Sequence, residues 1–218
     1  MITYNEIVKN EEIRTYISSA DESLKALGFT EHSFAHVSKV AEVAAYILKT
    51  MGYDEHTVEI AKIASYLHDI GNLVNRIEHS QSGAVMAFRI LNAMGMPPKD
   101  IATIVTAIGN HDEGTGVAVD AVAAALILAD KSDVRRSRVR NSDISTFDIH
   151  DRVNYSVEDS RLEIKDGGVI MLTLKIDNAI STVMDYFEIF LGRMVMCRKA
   201  AEKIGLKFRL TINGQQIL

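Results

Sequence analysis

Over residues 1–149 apolar positions recur every three to four residues, the mark of helices that each bury one stripe. The pattern predicts a helix over Glu11–Leu27, stopped by Gly28, and a second over Ser33–Met51, stopped by Gly52. Asp54 is a suitable N-cap for a third, ending near Asp69 with Gly71 behind it. A fourth runs from His79 to Met94, closed by Gly95 and Pro97-Pro98, and Pro98 opens a fifth that reaches Asn110. The sixth is predicted from Asp120 to Arg140. After His150 the period becomes two: Val153–Lys165 and Val169–Ile176 alternate around Asp166-Gly167-Gly168, a hairpin signal. A helix from Ala179 to Lys203 and a strand over Leu206–Ile212 follow. The fold class expected is mainly α: a helical bundle over 1–149 and a small C-terminal α+β (β-β-α-β) layer over 150–218, covering one end of the bundle.

Polar residues interrupt these stripes in an ordered way. His36 heads Val40, Val43 and Ile47; His68 ends Ile60, Ala64 and Leu67; His79 begins Gly83, Met86 and Ile90; His111 ends Ile104, Ala107 and Ile108. Asp130 stands likewise after Val122, Ala123, Leu126 and Ile127. Spacings of 3, 4, 7 and 8 put each of these on the core-facing side of its helix, where an unpaired imidazole or carboxylate is costly. A common partner is required, and a metal centre satisfies all of them together with Asp69. A His-Asp dipeptide alone is weak evidence, since seven His and fifteen Asp in 218 residues give about 0.5 by chance. Of the three present, His68-Asp69 and His111-Asp112 belong to the series, while His150-Asp151 sits at the predicted junction and reads as accidental.

Six ligands exceed one closed tetrahedral site but suit two divalent ions sharing a carboxylate. Asp69 is the natural bridge, with His36, His68 and Asp130 on one ion and His79 and His111 on the other. Four imidazoles and no thiolate favour Fe or Mn, with Co, Ni or Zn as substitutes.

The order His36, Leu67-His68-Asp69-Ile70-Gly71, Ala129-Asp130 resembles the HD-domain metal-dependent phosphohydrolase superfamily. His79-Ser80-Gln81-Ser82-Gly83-Ala84 and His111-Asp112-Glu113 are similar to the two further histidines of its binuclear branch, and within it to small bacterial HD hydrolases of dinucleoside polyphosphates. The resemblance covers residues 30–140. It implies an all-helical HD bundle and hydrolysis of a phosphoester or phosphoanhydride, often of a nucleotide, by a hydroxide held between two metals.

Phosphate chemistry needs cations nearby. Lys131, Arg135, Arg136, Arg138 and Arg140 crowd the end of the sixth predicted helix. On a helix that continues to Arg140, Lys131, Arg135 and Arg138 form one stripe, either a phosphate clamp or a solvated end complementing the helix dipole. His32, one turn before His36, either contacts substrate and protonates a leaving group or closes the pocket structurally. Asp112 and Glu113 either orient His111 or lie in solvent, and Asp133 has the same two readings. The expected assignment is thus Asp69, His32 and Lys131 in catalysis, with His32, Lys131 and Arg135 on the substrate. His56 and His150 are expected at the surface. Cys197 and the methionines and phenylalanines of the C-terminal helix are expected to pack in the core or at a homodimer interface.

Composition narrows the class further. With 47% apolar and 24% charged residues the chain can bury a sizeable core. Its longest apolar run, Ala121–Ala129, is about half of the ~20 residues a membrane helix needs. Net charge −5 provides no footprint for nucleic acid. A single cysteine and an N-terminus without an apolar leader fit a cytoplasmic protein whose partner is a small phosphorylated substrate. Two rivals use the same ligands: a di-iron oxygenase acting on a phosphonate or inositol-like compound, and a non-catalytic regulatory module that keeps its metal.

Overall fold

Side-chain caps set most helix starts. The structure, a computed structural model, describes residues 2–218. Two short-range helices, α1 (Tyr4–Lys9) and α2 (Glu11–Ala26), precede α3 (Phe34–Thr50), whose cap Ser33 accepts from the Ala35 amide. Asp54 caps α4 (Glu55–Leu67) through the Thr57 amide, and Asp120 caps α7 (Ala121–Ser132) through the Ala123 amide. Between them lie α5 (His79–Ala93) and α6 (Pro98–Gly109). Helix α7 packs against α3, α4, α6 and α9 (Val183–Lys203), and every residue from Val122 to Ala129 is buried. That is the reason its sequence is apolar all round instead of on one stripe.

The C-terminal part contains α8 (Ile149–Ser156) and a four-stranded sheet of β1 (Val157–Lys165), β2 (Val169–Ile176), β3 (Lys207–Ile212) and β4 (Gln215–Gln216), in that spatial order. The β1–β2 and β3–β4 pairs are antiparallel, whereas β2 and β3 are parallel. Parallel neighbours need a crossover, and α9 supplies it. Helix α9 packs on β3 and on α7, so one apolar core runs from the bundle into the sheet layer.

Four expectations are corrected. The sixth predicted helix stops at Ser132, eight residues short of Arg140, because Asp133 leaves helical geometry to pair with His36, Lys39 and Arg135. The stripe that was to align Lys131 with Arg135 and Arg138 therefore does not exist. Residues 153–156 are helical, not extended: Val153 and Val157 are four apart, a spacing that fits either period, and Asp148 decides by capping α8 through the Asp151 amide. Helix α9 begins at Val183, not Ala179, at a Thr182–Asp185 capping box. Helix α1 was not anticipated, since six residues hold too few apolar positions to show a period. Among the described residues no helix is long and apolar enough to cross a membrane.

Candidate metal centre

Each residue of the predicted ligand set sits at a helix end. His36 is in the first turn of α3 and His79 opens α5, while His68, His111 and Asp130 lie at the ends of α4, α6 and α7. Asp69 follows His68 where α4 gives way to a 3₁₀ turn over Ile70–Leu73. Close approach of that turn to α5 depends on Gly71: a β-carbon there would overlap the His79 carbonyl oxygen and the Gly83 backbone nitrogen. The sequence thereby lets α5 slide in until His79 Nε2 is 3.4 Å from Asp69 Oδ1.

All four imidazoles face their Nδ1 to an acceptor. His68 Nδ1 donates to Ser65 O at 2.7 Å, His111 Nδ1 to Ile108 O at 2.6 Å, and His79 Nδ1 to Arg76 O at 3.0 Å. His36 Nδ1 reaches Asp133 Oδ2 at 2.8 Å. With Nδ1 carrying the hydrogen, each Nε2 is a lone pair, and these lone pairs converge with the two carboxylates. His36 Nε2 is 3.3 Å from Asp130 Oδ1 and 3.6 Å from Asp69 Oδ2; His68 Nε2 is 3.6 and 3.2 Å from the same oxygens. On the other side of Asp69, His79 Nε2 and His111 Nε2 are 3.1 Å apart, and His111 Nε2 is 4.0 Å from Oδ1.

Acceptors crowded in this way repel unless something positive lies among them. His36 Nε2 and His68 Nε2 are buried without any hydrogen-bond partner. Burial opposes a charge on His68, yet Asp69 and Asp130 outweigh it and push its pKa up to about 10, so the site calls for a cation. Burial would raise the Asp69 and Asp130 carboxyls, but His68 beside the first and Lys131 beside the second hold both well below the usual range. Burial, with His68 and Lys131 next, keeps His111 in the neutral form that ligates metals. Donor atoms about 2.0–2.2 Å from one ion lie roughly 3.0–3.6 Å from each other, the spacing found here. Among the described residues, two groups bring three ligand atoms within 4.8 Å of one another, His36 with His68 and Asp130, and His68 with Asp69 and His111. The donor set therefore fits divalent metal.

Basic groups surround the cluster, among them Lys131 and Arg138 of those the sequence named, but not Arg135. Lys131 is buried, with Nζ 2.8 Å from Asp130 Oδ2 and 3.5 Å from Glu113 Oε1. Arg193 of α9 meets the same Glu113 oxygen at 2.6 Å, and Arg76 Nη1 is 3.3 Å from His79 Nε2. A narrow cleft at the cluster is lined by His32, Arg76, Lys131, Arg138 and Arg193, and four of these, His32, Arg76, Arg138 and Arg193, also line an adjoining cavity of about 360 Å³. Arg135 is absent from both linings. Its Nε is 2.9 Å from Asp133 Oδ1 and its Nη2 is 3.3 Å from Glu31 Oε2, so the expected phosphate contact is corrected to a support of Asp133. Glu113 is likewise turned to Lys131 and Arg193 and not to His111, which bonds Ile108; among the carboxylates weighed for that role, Asp133 orients a histidine, His36.

His32 donates from Nδ1 to Thr30 O at 2.7 Å, which leaves Nε2 as an acceptor, and burial lowers its pKa well below the ordinary imidazole value. That tautomer suits accepting a hydrogen bond better than protonating a leaving group. Burial also pushes the Cys197 thiol up to about 12, which removes it as a nucleophile. His56 pairs with Asp100 at 2.9 Å, while His150 and Asp151, read as accidental, line the 360 Å³ cavity. Arg76 and Arg193 carried no signal in the sequence. Neither lies on a stripe shared with a ligand, and α9 reaches the cluster only through its packing on α7.

The chain is similar to an uncharacterized protein of Methanocaldococcus jannaschii, 29% identical with 75% of this chain and 71% of that protein covered. Its fold resembles a crystal structure described as a predicted HD superfamily hydrolase from an uncultured Thermotogales bacterium, with TM-score 0.42, 24% identity, and coverage of 62% of this chain and 75% of that one. The model of the HD domain family matches residues 33–189, from the cap of α3 into α9 and across the predicted 149/150 division. On the extent of that match, the chain belongs to the HD domain family.

Proposed function

We propose that this protein is a metal-dependent phosphohydrolase cleaving a phosphoester or phosphoanhydride of a small phosphorylated compound, with nucleotides as the first class to test. The observation that carries the reading is the position of Asp69, one oxygen toward His36 and His68 and the other toward His79 and His111, under a cleft walled by basic side chains. Two divalent ions, iron or manganese, fit that arrangement. His36, His68, Asp69 and Asp130 would hold one, with Asp69, His79 and His111 holding the other. Such ions activate water near neutral pH and offset charge on phosphoryl oxygens.

The chain's own groups complete the site. Arg76, Arg138 and Arg193 line the approach and would bind the substrate's phosphate oxygens by charge-assisted hydrogen bonds. Lys131 neutralises the outer oxygen of Asp130 and stands within the same wall. His32, an acceptor at Nε2, would orient a hydroxyl or water at the mouth. A homodimer through the C-terminal layer belongs to this reading: Met184, Leu191 and Val195, at helical spacing on α9, are exposed.

Metal analysis after anaerobic purification, followed by a phosphate-release screen over mono-, di- and cyclic nucleotides, tests the function. Metal-dependent phosphate release without oxygen is the expected result. Iron-dependent oxygen uptake with a phosphonate or inositol-like compound would replace the hydrolase with an oxygenase. Metal-loaded protein inert across the panel would leave a regulatory module.

A further inference from the structure

The cavity beyond the cleft is divided by charge along its length. Its inner end is shared with the metal cluster and carries Arg76, Arg138 and Arg193. Its walls include Leu27, Phe29 and Phe190. The α8 side of the lining, with the cap before it, consists of Asp148, His150, Asp151 and Asn154. At about 360 Å³ it falls within the range of small-ligand sites.

The α8 residues of the lining include no Lys or Arg. Among the described residues, no Lys or Arg nitrogen forms an ion pair with Asp148 or Asp151. Asp148 accepts from the Asp151 amide at 2.8 Å, and Asp151 takes a long 3.4 Å bond from Asn141 Nδ2. Burial raises the Asp151 carboxyl above its ordinary value; Asn141 and, less strongly, His150 oppose this and Asp148 adds to it. Asn154 is 6% exposed and donates from Nδ2 to His150 O at 2.9 Å, leaving its carboxamide oxygen without a partner in the chain. This wall thus offers two carboxylates and a carboxamide oxygen, with the His150 imidazole beside them and no Lys or Arg. A second phosphate placed there would meet two carboxylates.

We propose that Asp148, Asp151 and Asn154 form a distal subsite selecting phosphate compounds whose far end carries an amine or another hydrogen-bond donor, and disfavouring a second terminal phosphate. The proposal rests on the phosphohydrolase reading of the cluster, because the phosphate end is what orients the ligand. Specificity then comes from α8, outside the ligand-bearing helices.

The test uses three non-hydrolysable phosphonates of equal chain length, long enough to span the cavity: an ω-aminoalkyl phosphonate, its alkyl counterpart and an alkane bisphosphonate. Each is titrated calorimetrically into metal-loaded protein. The expected order is amine tightest and bisphosphonate weakest, with the amine preferred over the alkyl compound by about fivefold to tenfold and less so in high salt. In Asp148→Asn/Asp151→Asn the amine-to-alkyl ratio falls to about one. Asparagine caps a helix as well as aspartate, so α8 keeps its start; thermal unfolding of the variant checks this. Equal affinity for all three compounds overturns the distal subsite while leaving the phosphate reading standing. No binding of any of them removes the phosphate reading and this inference with it.

Discussion

His36 and Asp133 are separated by 97 residues, yet His36 Nδ1 donates to Asp133 Oδ2 across 2.8 Å. The bond turns the His36 lone pair toward Asp69 and Asp130, and Lys39 and Arg135 hold the carboxylate from its other oxygen at 2.8 and 2.9 Å. Carboxylates behind ligating histidines fix the ring and raise its basicity. Asp133→Asn should keep the fold and weaken metal binding by about 10–100-fold. Competition with a chelator of known affinity measures this, and unchanged affinity would show that Asp133 serves only the end of α7.

Asp69 is common to both sides of the cluster. Asp69→Ala should abolish metal binding and activity together, since it removes both oxygens that the imidazoles face. His56, paired with Asp100 at the opposite end of α4, about 18 Å away along the helix, is the control. Elemental analysis per chain should give metal for His56→Ala and none for Asp69→Ala. Parity of the two would refute the ligand set.

The basic residues separate into two groups by whether they line the cleft. Arg193→Ala should raise KM by about tenfold with metal content retained, the scale of one lost charge-assisted hydrogen bond. Arg135→Ala should leave KM near the parent value, because Arg135 lines neither the cleft nor the cavity and is turned to Asp133 and Glu31. Steady-state kinetics with parallel metal analysis decides; a KM effect for Arg135 alone would invert the assignment.

Gly71 is required by close approach. Gly71→Ala should lower stability by about 1–3 kcal/mol, because backbone atoms of His79 and Gly83 occupy the position of a β-carbon. Gly109→Ala, where a β-carbon would meet nothing nearer than Ala84 Cβ at 3.7 Å, should be neutral or stabilising. Denaturant unfolding of both variants tests the contrast. Similar midpoints would mean that α5 can retreat from the turn.

Much of the centre was legible because burying a polar residue leaves a mark. A histidine or aspartate on an apolar helix stripe stands out against its neighbours, and His36, His68, His79, His111 and Asp130 all did. The cations left no such mark. Arg76 and Arg193 are polar residues at half-buried positions, and nothing in their local spacing separates them from ordinary surface arginines. Arg135 misled because the stripe argument assumed a helix running to Arg140, and tertiary pairing of Asp133 ended that helix at Ser132.

By itself the amino-acid sequence determined the succession of helices and the inward direction of their polar residues, since both follow from periodicity and caps within a few residues. Only the tertiary structure decided that Asp133 backs His36, that α9 brings Arg193 to the cleft, and that α8 lines the far wall of the cavity. Those relationships join positions far apart in the chain. They are set by how helices pack around α7 and by how closely two glycine-lined backbones approach, neither of which any local stretch encodes.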